Sequence, residues 1–305
     1  MGRDVGGCTA EGPRTASPFY NKVLHLLAHY RVPFDVVKTG IAPPRPMLSD
    51  ELNITYRKTP TLVLDGQMYL DTSVIAEVLE ETFGDKPGHG QSCSHNSTSC
   101  SAASLHLFAI GASLIPIKLL SKEFLADRAS FGAQIGKRPL EESKADLRVQ
   151  LSLLEDQLQA NANQGLGPYL LGTSGPQYVD IGAYNSLNWI QTMQKSAPEY
   201  LPMTASSSSP TPFPAVVKFM ATLRSYLQER QTKPLILEPR QAAKMITEQG
   251  AKAAELAQSK PSNVDEQDPL VQAGRLRFGD QVDVTPTDTG RVVSGKRLVR
   301  PIQPS

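Results

Sequence analysis

Apolar positions recur at helical spacing over residues 18–30, where Phe19, Val23, Leu26, Leu27 and Tyr30 form one stripe. Ser17-Pro18 ahead of them supplies an N-cap and a proline at the first helical position. Residues 34–37, FDVV, read as a short strand, and residues 41–59 are proline-rich and polar. The period then shortens. Thr61 to Leu64 is β-branched and apolar, Gln67 to Leu70 alternates, and Asp65-Gly66 between them is a strong short-range hairpin signal. Pro60 stands just before the first strand of that hairpin, where its missing N–H does least damage to a ladder. Asp71, Thr72 or Ser73 then caps a helix whose apolar positions are Val74, Ile75, Val78 and Leu79.

Residues 87–104, PGHGQSCSHNSTSCSAAS, are a low-complexity connector, and the pattern after it is helical. Residues 105–125 are largely apolar with a break at Pro116. Leu147, Leu151, Leu154 and Leu158 make an amphipathic stripe over 143–161. Residues 179–194 hold Ile181, Ala183, Leu187 and the one tryptophan, Trp189, a density that predicts a helix buried on most sides. A Ser/Pro loop at 205–214 precedes a stripe of Val216, Phe219, Leu223 and Leu227. Residues 241–258 are alanine- and charge-rich with little apolar face, and 278–284 and 291–302 look like strands about a turn. The implied organisation is a loose leader (1–16), an α/β domain (17–86), a connector (87–104), an all-α domain (105–237) and a small helix-plus-hairpin extension (238–305).

Composition removes several classes. The formal net charge of +1 over 305 residues provides no field toward nucleic acid or an anionic membrane. No run of about 18 apolar residues is present to span a bilayer, and residues 1–15 lack an apolar signal core. Cys8, Cys93 and Cys100 stand in polar surroundings, suggesting neither a disulfide framework nor a zinc site and fitting a reducing compartment, the cytoplasm. His25 and His29 share a helix face, but no third ligand accompanies them, so no metal is expected.

Three groups of residues resemble the soluble glutathione transferases. Ser17-Pro18-Phe19-Tyr20-Asn21-Lys22-Val23 looks like the start of that family's first helix, Thr59-Pro60 resembles its dipeptide with a cis proline opening a strand, and Asp71-Thr72 sits where the family has Glu-Ser or Gln-Ser. In the helical half, Asp180 within GPQYVDIGAYNSLNW resembles the family's buried capping aspartate, with Gln177 in place of the usual Ser or Thr. Residues 279–290, GDQVDVTPTDTG, resemble a segment of fungal members that carry a C-terminal extension. The resemblance covers about residues 17–230 and implies a thioredoxin-like domain followed by a helical bundle, commonly assembled as a homodimer.

The activity implied is conjugation of glutathione, as cosubstrate, to a small electrophile. Thr59, Pro60, Asp71 and Thr72 would hold glutathione, and Ser17 would stabilise its thiolate. Duller roles stand beside these: Ser17, Thr72 and Asp180 are also ordinary helix caps. One departure counts against catalysis. The family's central first strand should precede Ser17, yet Gly7 to Ala16 contains glycines and a proline, so that strand is expected to be degenerate or missing. The alternative reading is therefore a non-catalytic scaffold of the same fold that binds a ligand or protein partner. Thiol–disulfide chemistry, as in cysteine-headed relatives, is weakened by serine at position 17.

Overall fold

The computed structural model describes residues 5–6, 8–9, 17–40, 43–54, 56–84, 98–115, 120–129, 138–194, 199–202, 211–257 and 272–273. In chain order the first half comprises β1 (Val5–Gly6), β2 (Cys8–Thr9), α1 (Pro18–His29), β3 (Val36–Val37), a π-helical turn (Met47–Glu51), β4 (Thr61–Leu64), β5 (Gln67–Leu70) and α2 (Thr72–Phe83). The second half comprises α3 (Thr98–Ser113), α4 (Lys122–Ala129), α5 (Leu140–Asn163), α6 (Tyr178–Trp189), a π-helical turn (Ile190–Gln194), α7 (Pro214–Gln228), β6 (Ile236–Leu237) and α8 (Pro239–Ala257). A thioredoxin-like α/β unit is thus followed by a helical bundle.

Asp65 and Gly66 have φ of 50° and 78°, the double left-handed conformation of a type I′ turn, whose twist matches that of the flanking strands. That turn fixes the register of β4 and β5, from Leu64↔Gln67 to Thr61↔Leu70. β1 pairs antiparallel with β4 through Val5↔Leu64, and β2 pairs parallel with β3 through Cys8↔Val36. Residues 5–9 therefore join the hairpin ladder to the parallel ladder. The first strand is degenerate rather than missing: two residues on either side of position 7 hold the central place. Main-chain pairing needs no side-chain pattern, and the Pro13 that argued against a strand lies beyond the paired residues, outside the described ones.

The two faces of this sheet are covered differently. Side chains alternate along a strand; Val36 joins Leu62, Leu64, Ile75 and Leu79 in a core under α1 and α2, while Val37 points into another core with Met47, Ala242 and Ala243. The latter core takes in the start of the C-terminal extension. β6, at the end of the segment read as all-α, joins the sheet edge parallel to β3 (Val36↔Ile236), and α8, the first part of the extension, lies over the adjoining face. α8 does so without a large apolar stripe because small alanines allow close approach to the sheet, with Ile246 and Leu237 packed around them. β6, at two residues, is too short to register as a period.

The helical half has its own core, centred on Leu107, Leu147, Leu151, Leu187, Val216 and Leu223. α6 binds the halves together: its Ile181 belongs to the sheet-side core, while Ala183, Tyr184, Leu187 and Ile190 belong to the helical one. α3 packs closely on α6 because position 111 is glycine; a Cβ there would stand 2.8 Å from the Trp189 ring. α3 starts at Thr98, inside the stretch read as connector. Once a helix is nucleated each added residue gains a bond, and Ala102-Ala103 propagate it at little entropic cost. The strands expected at 278–284 and 291–302, the motif at 279–290 and the break at Pro116 lie outside the described residues.

Candidate functional site

Topology gathers most of the sequence-predicted residues. β2 and β3 are parallel, so α1 between them is a crossover that starts at the end of the sheet where β2 finishes. β1 runs antiparallel to β4, so that same end is where β4 begins. Thr61↔Leu70 is the last pair of the hairpin, which puts Thr59-Pro60 and Asp71-Thr72 side by side at that end. Ser17, Thr59, Pro60, Asp71 and Thr72 therefore share one end of the sheet, at the N-termini of α1 and α2. In open α/β sheets this carboxyl-end crevice is where ligands bind. Asp180 lies elsewhere, in the capping turn of α6.

Ser17 is the N-cap of α1, with extended backbone (φ −107°, ψ 113°) and Pro18 at the first helical position. Its Oγ accepts from the Tyr20 N–H at 3.3 Å. A serine hydroxyl has two lone pairs and one proton, so the cap leaves the O–H able to donate outward. The Thr59–Pro60 peptide is cis, with Thr59 half-buried and Pro60 buried. Asp71 caps α2, its Oδ1 accepting from Ser73 N–H at 2.9 Å, and its φ of 82° is rare for a residue with a Cβ. Held strain of this kind persists where surrounding structure fixes it.

Tyr56 was not legible from spacing. Burial, then the Asp71 charge and a hydrogen bond to it, push the Tyr56 phenol up to about 12. The phenol thus stays protonated and donates to Asp71. Asp71 is held from two sides, by a backbone N–H ahead of it and a phenol across the loop.

The loop leading to Pro60 is also pinned. Buried Arg45 donates from Nε to the Gly40 carbonyl at 2.7 Å and from Nη1 to the Arg57 carbonyl. Arg57 pairs with Asp127 of α4, and Arg128 lies 3.6 Å from the same carboxylate. Burial holds Arg45 and Arg128 below the ordinary guanidinium value, with Asp127 opposing that and neighbouring guanidiniums adding to it. These ties fasten the Thr59 segment to the helical half.

Asp180 is fully buried and ends in two backbone bonds, from Gln177 N–H at 2.7 Å and Leu170 N–H at 2.8 Å. Gln177 reciprocates in a capping box, so an amide serves in place of a hydroxyl. Burial raises the Asp180 carboxyl to about 6, with the Gln177 and Leu170 N–H groups, and its own N–H, opposing.

Residues 14–87 match the family model described as the glutathione S-transferase N-terminal domain. The chain carries a glutathione S-transferase N-terminal domain. The fold of the described residues is similar to that of solved glutathione S-transferases. A GST-like protein from Pseudomonas syringae is similar at a TM-score of 0.58 and 20% identity, over 92% of this chain and 83% of that one. A Tau class glutathione S-transferase from mango, Mangifera indica, is similar at a TM-score of 0.52 and 13% identity, over 81% of this chain and 98% of that one. No curated protein matches the sequence. All five residues at the sheet end fall within the span of the glutathione S-transferase domain. Among the described residues, no group of His, Cys, Asp or Glu could hold a metal ion, and no helix is long and apolar enough to cross a membrane.

Proposed function

We propose that the chain binds glutathione at the end of the sheet where α1 and α2 begin, and presents its thiolate to a small electrophile. The observation that carries this reading is the convergence there of Ser17, Thr59-Pro60 and Asp71-Thr72 within a glutathione S-transferase N-terminal domain. The N–H groups and positive dipole end of α2 suit the γ-glutamyl carboxylate, assisted by the Thr72 hydroxyl. The Asp71 carboxylate suits the γ-glutamyl ammonium. The main chain at Thr59 pairs with the cysteinyl unit as an added strand would.

The Ser17 hydroxyl donates to the thiol sulfur, and the α1 dipole adds a second stabilising term, so the thiol ionises at a lower pH. The thiolate then attacks the electrophilic carbon. A carbon–sulfur bond forms, and an aryl or alkyl halide loses halide with the bonding electron pair. Its site of action is the cytoplasm, and the assembly is a homodimer, both on the strength of the family likeness.

Calorimetric titration with glutathione, alongside conjugation of an activated aryl halide, tests this. Millimolar or tighter binding with turnover above the buffer rate is expected. Absence of binding at millimolar glutathione overturns it. Binding without turnover selects the non-catalytic scaffold, a role favoured by the thin first strand, which has two paired residues on each ladder.

A further inference from the structure

Asn185 sits on α6, the helix that joins the two cores, and is 5% exposed. Its Nδ2 donates to the Pro18 carbonyl at 2.9 Å, across 167 residues of sequence. Pro18 is the residue after Ser17 and the first of α1. As a first-turn carbonyl it also receives an N–H from four residues on by ordinary helix geometry, so it does not need Asn185 for its own satisfaction. The bond ties α1 to α6 at the turn carrying Ser17.

That tie has a cost which the fold alone does not explain. The other end of the amide, Asn185 Oδ1, is buried, and its contact with the equally buried His25 of α1 falls short of hydrogen-bond geometry, so neither Oδ1 nor His25 Nδ1 is fully satisfied. A buried acceptor left unmet destabilises a protein, and an apolar residue of the same size would avoid the penalty. Position 185 holds the costlier group. α6 is a rigid place to anchor from, since the Asp180 capping box fixes its start and both cores grip its flanks. Groups that act on a reacting atom must be held to within about 0.5 Å, and the paired segments upstream of Ser17 are only two residues long.

We infer that Asn185 is a positioning residue for Ser17: its amide fixes the first turn of α1, and through it the hydroxyl and N–H groups that stabilise the glutathione thiolate. This rests on the proposed glutathione reading. It assigns to the helical half a positioning part in thiol activation, separate from the hairpin residues that would hold the γ-glutamyl end.

Asn185→Leu keeps the side-chain size and removes the donor; Asn185→Ala removes the donor with less demand on packing. Glutathione affinity, the pH dependence of thiolate absorbance in the bound complex, and amide exchange at Tyr20 and Asn21 are measured in the full chain. Expected for either variant are an affinity within about twofold of the parent, a bound thiol pKa raised by about one unit, and roughly tenfold lower turnover at neutral pH. Faster exchange at Tyr20 and Asn21 is expected as well.

An unchanged thiol pKa and turnover, with only a lower melting temperature, overturns the inference, because a merely structural residue behaves that way. Equal losses of affinity and turnover also overturn it. If the parent binds no glutathione, the functional reading has failed on its own, and unchanged amide exchange in the variants then overturns the tether too.

Discussion

Two buried titratable residues pull stability in opposite directions. Burial lowers His25 to about 4, with the nearby Asn185 amide offsetting part of that. Its unfolded value is 6.5, so its contribution is complete above pH 6.5 and is lost as pH falls toward 4. Asp180 runs the other way. Its carboxyl is raised to about 6 from 3.8, so its contribution is complete below pH 3.8 and is lost as pH rises through 6. Each is worth about 3 kcal/mol over its window by the usual conversion of pKa to free energy, and the windows overlap between pH 4 and 6. His25→Phe keeps the ring against Tyr184, 5.2 Å between centroids, and removes the titration. Relative to the parent, this variant gains stability progressively as pH is lowered from 6.5 to 4.5, read from urea midpoints. A difference independent of pH would contradict the assignment. Asp71→Asn makes a second residue-scale test. Asparagine caps a helix as well as aspartate, so stability should hold within about 0.5 kcal/mol while glutathione affinity falls three- to tenfold through loss of the ammonium partner.

At the scale of elements, a cap supplied from elsewhere in the chain decides the start of α7. Phe213 at the N-cap of α7 offers no side-chain oxygen; the buried Glu155 of α5 takes that role, accepting from Ala215 N–H at 3.0 Å and Val216 N–H at 2.9 Å. Glu155→Ala leaves two N–H groups without their acceptor and should cost about 2–4 kcal/mol in chemical denaturation. Glu155→Gln, which keeps one acceptor oxygen, should cost less than half of that. A loss under 0.5 kcal/mol in the alanine variant would contradict the cross-cap.

The hairpin, α1, α2 and the amphipathic stripes of α5 and α7 were legible in the sequence because each obeys a local rule. Examples are two positive φ values for Asp-Gly, Ser-Pro at a helix start and Leu at spacings of four and three. The partners of those elements were not legible. β6 is two residues long, α8 buries alanines rather than a stripe of large side chains, and Glu155, Asn185 and Tyr56 reach partners 60, 167 and 15 positions away. No local period encodes such pairings. The first strand looked degenerate or missing because its neighbours are glycine and proline, although backbone pairing alone supplies it. Within the candidate site, caps and turn residues could be read one by one; their assembly at one sheet end required the register.

For the molecule as a whole, the candidate site at the sheet end depends on how the two cores are fastened. α6 threads both cores, Arg57 and Asp127 tie the Thr59 loop to α4, and β6 with α8 closes the sheet from the C-terminal side. In the proposed function the hairpin end of this arrangement would hold glutathione, and the α1 end would activate it. That division is the central claim, and Ser17→Ala tests it most directly. Loss of the cap should cost about 1 kcal/mol of stability, with glutathione affinity within about twofold of the parent. Conjugation of an activated aryl halide at neutral pH should fall at least tenfold, with the bound thiol titrating about a unit higher or more. Turnover and thiol titration equal to the parent's, in a variant that still binds glutathione, would contradict the account.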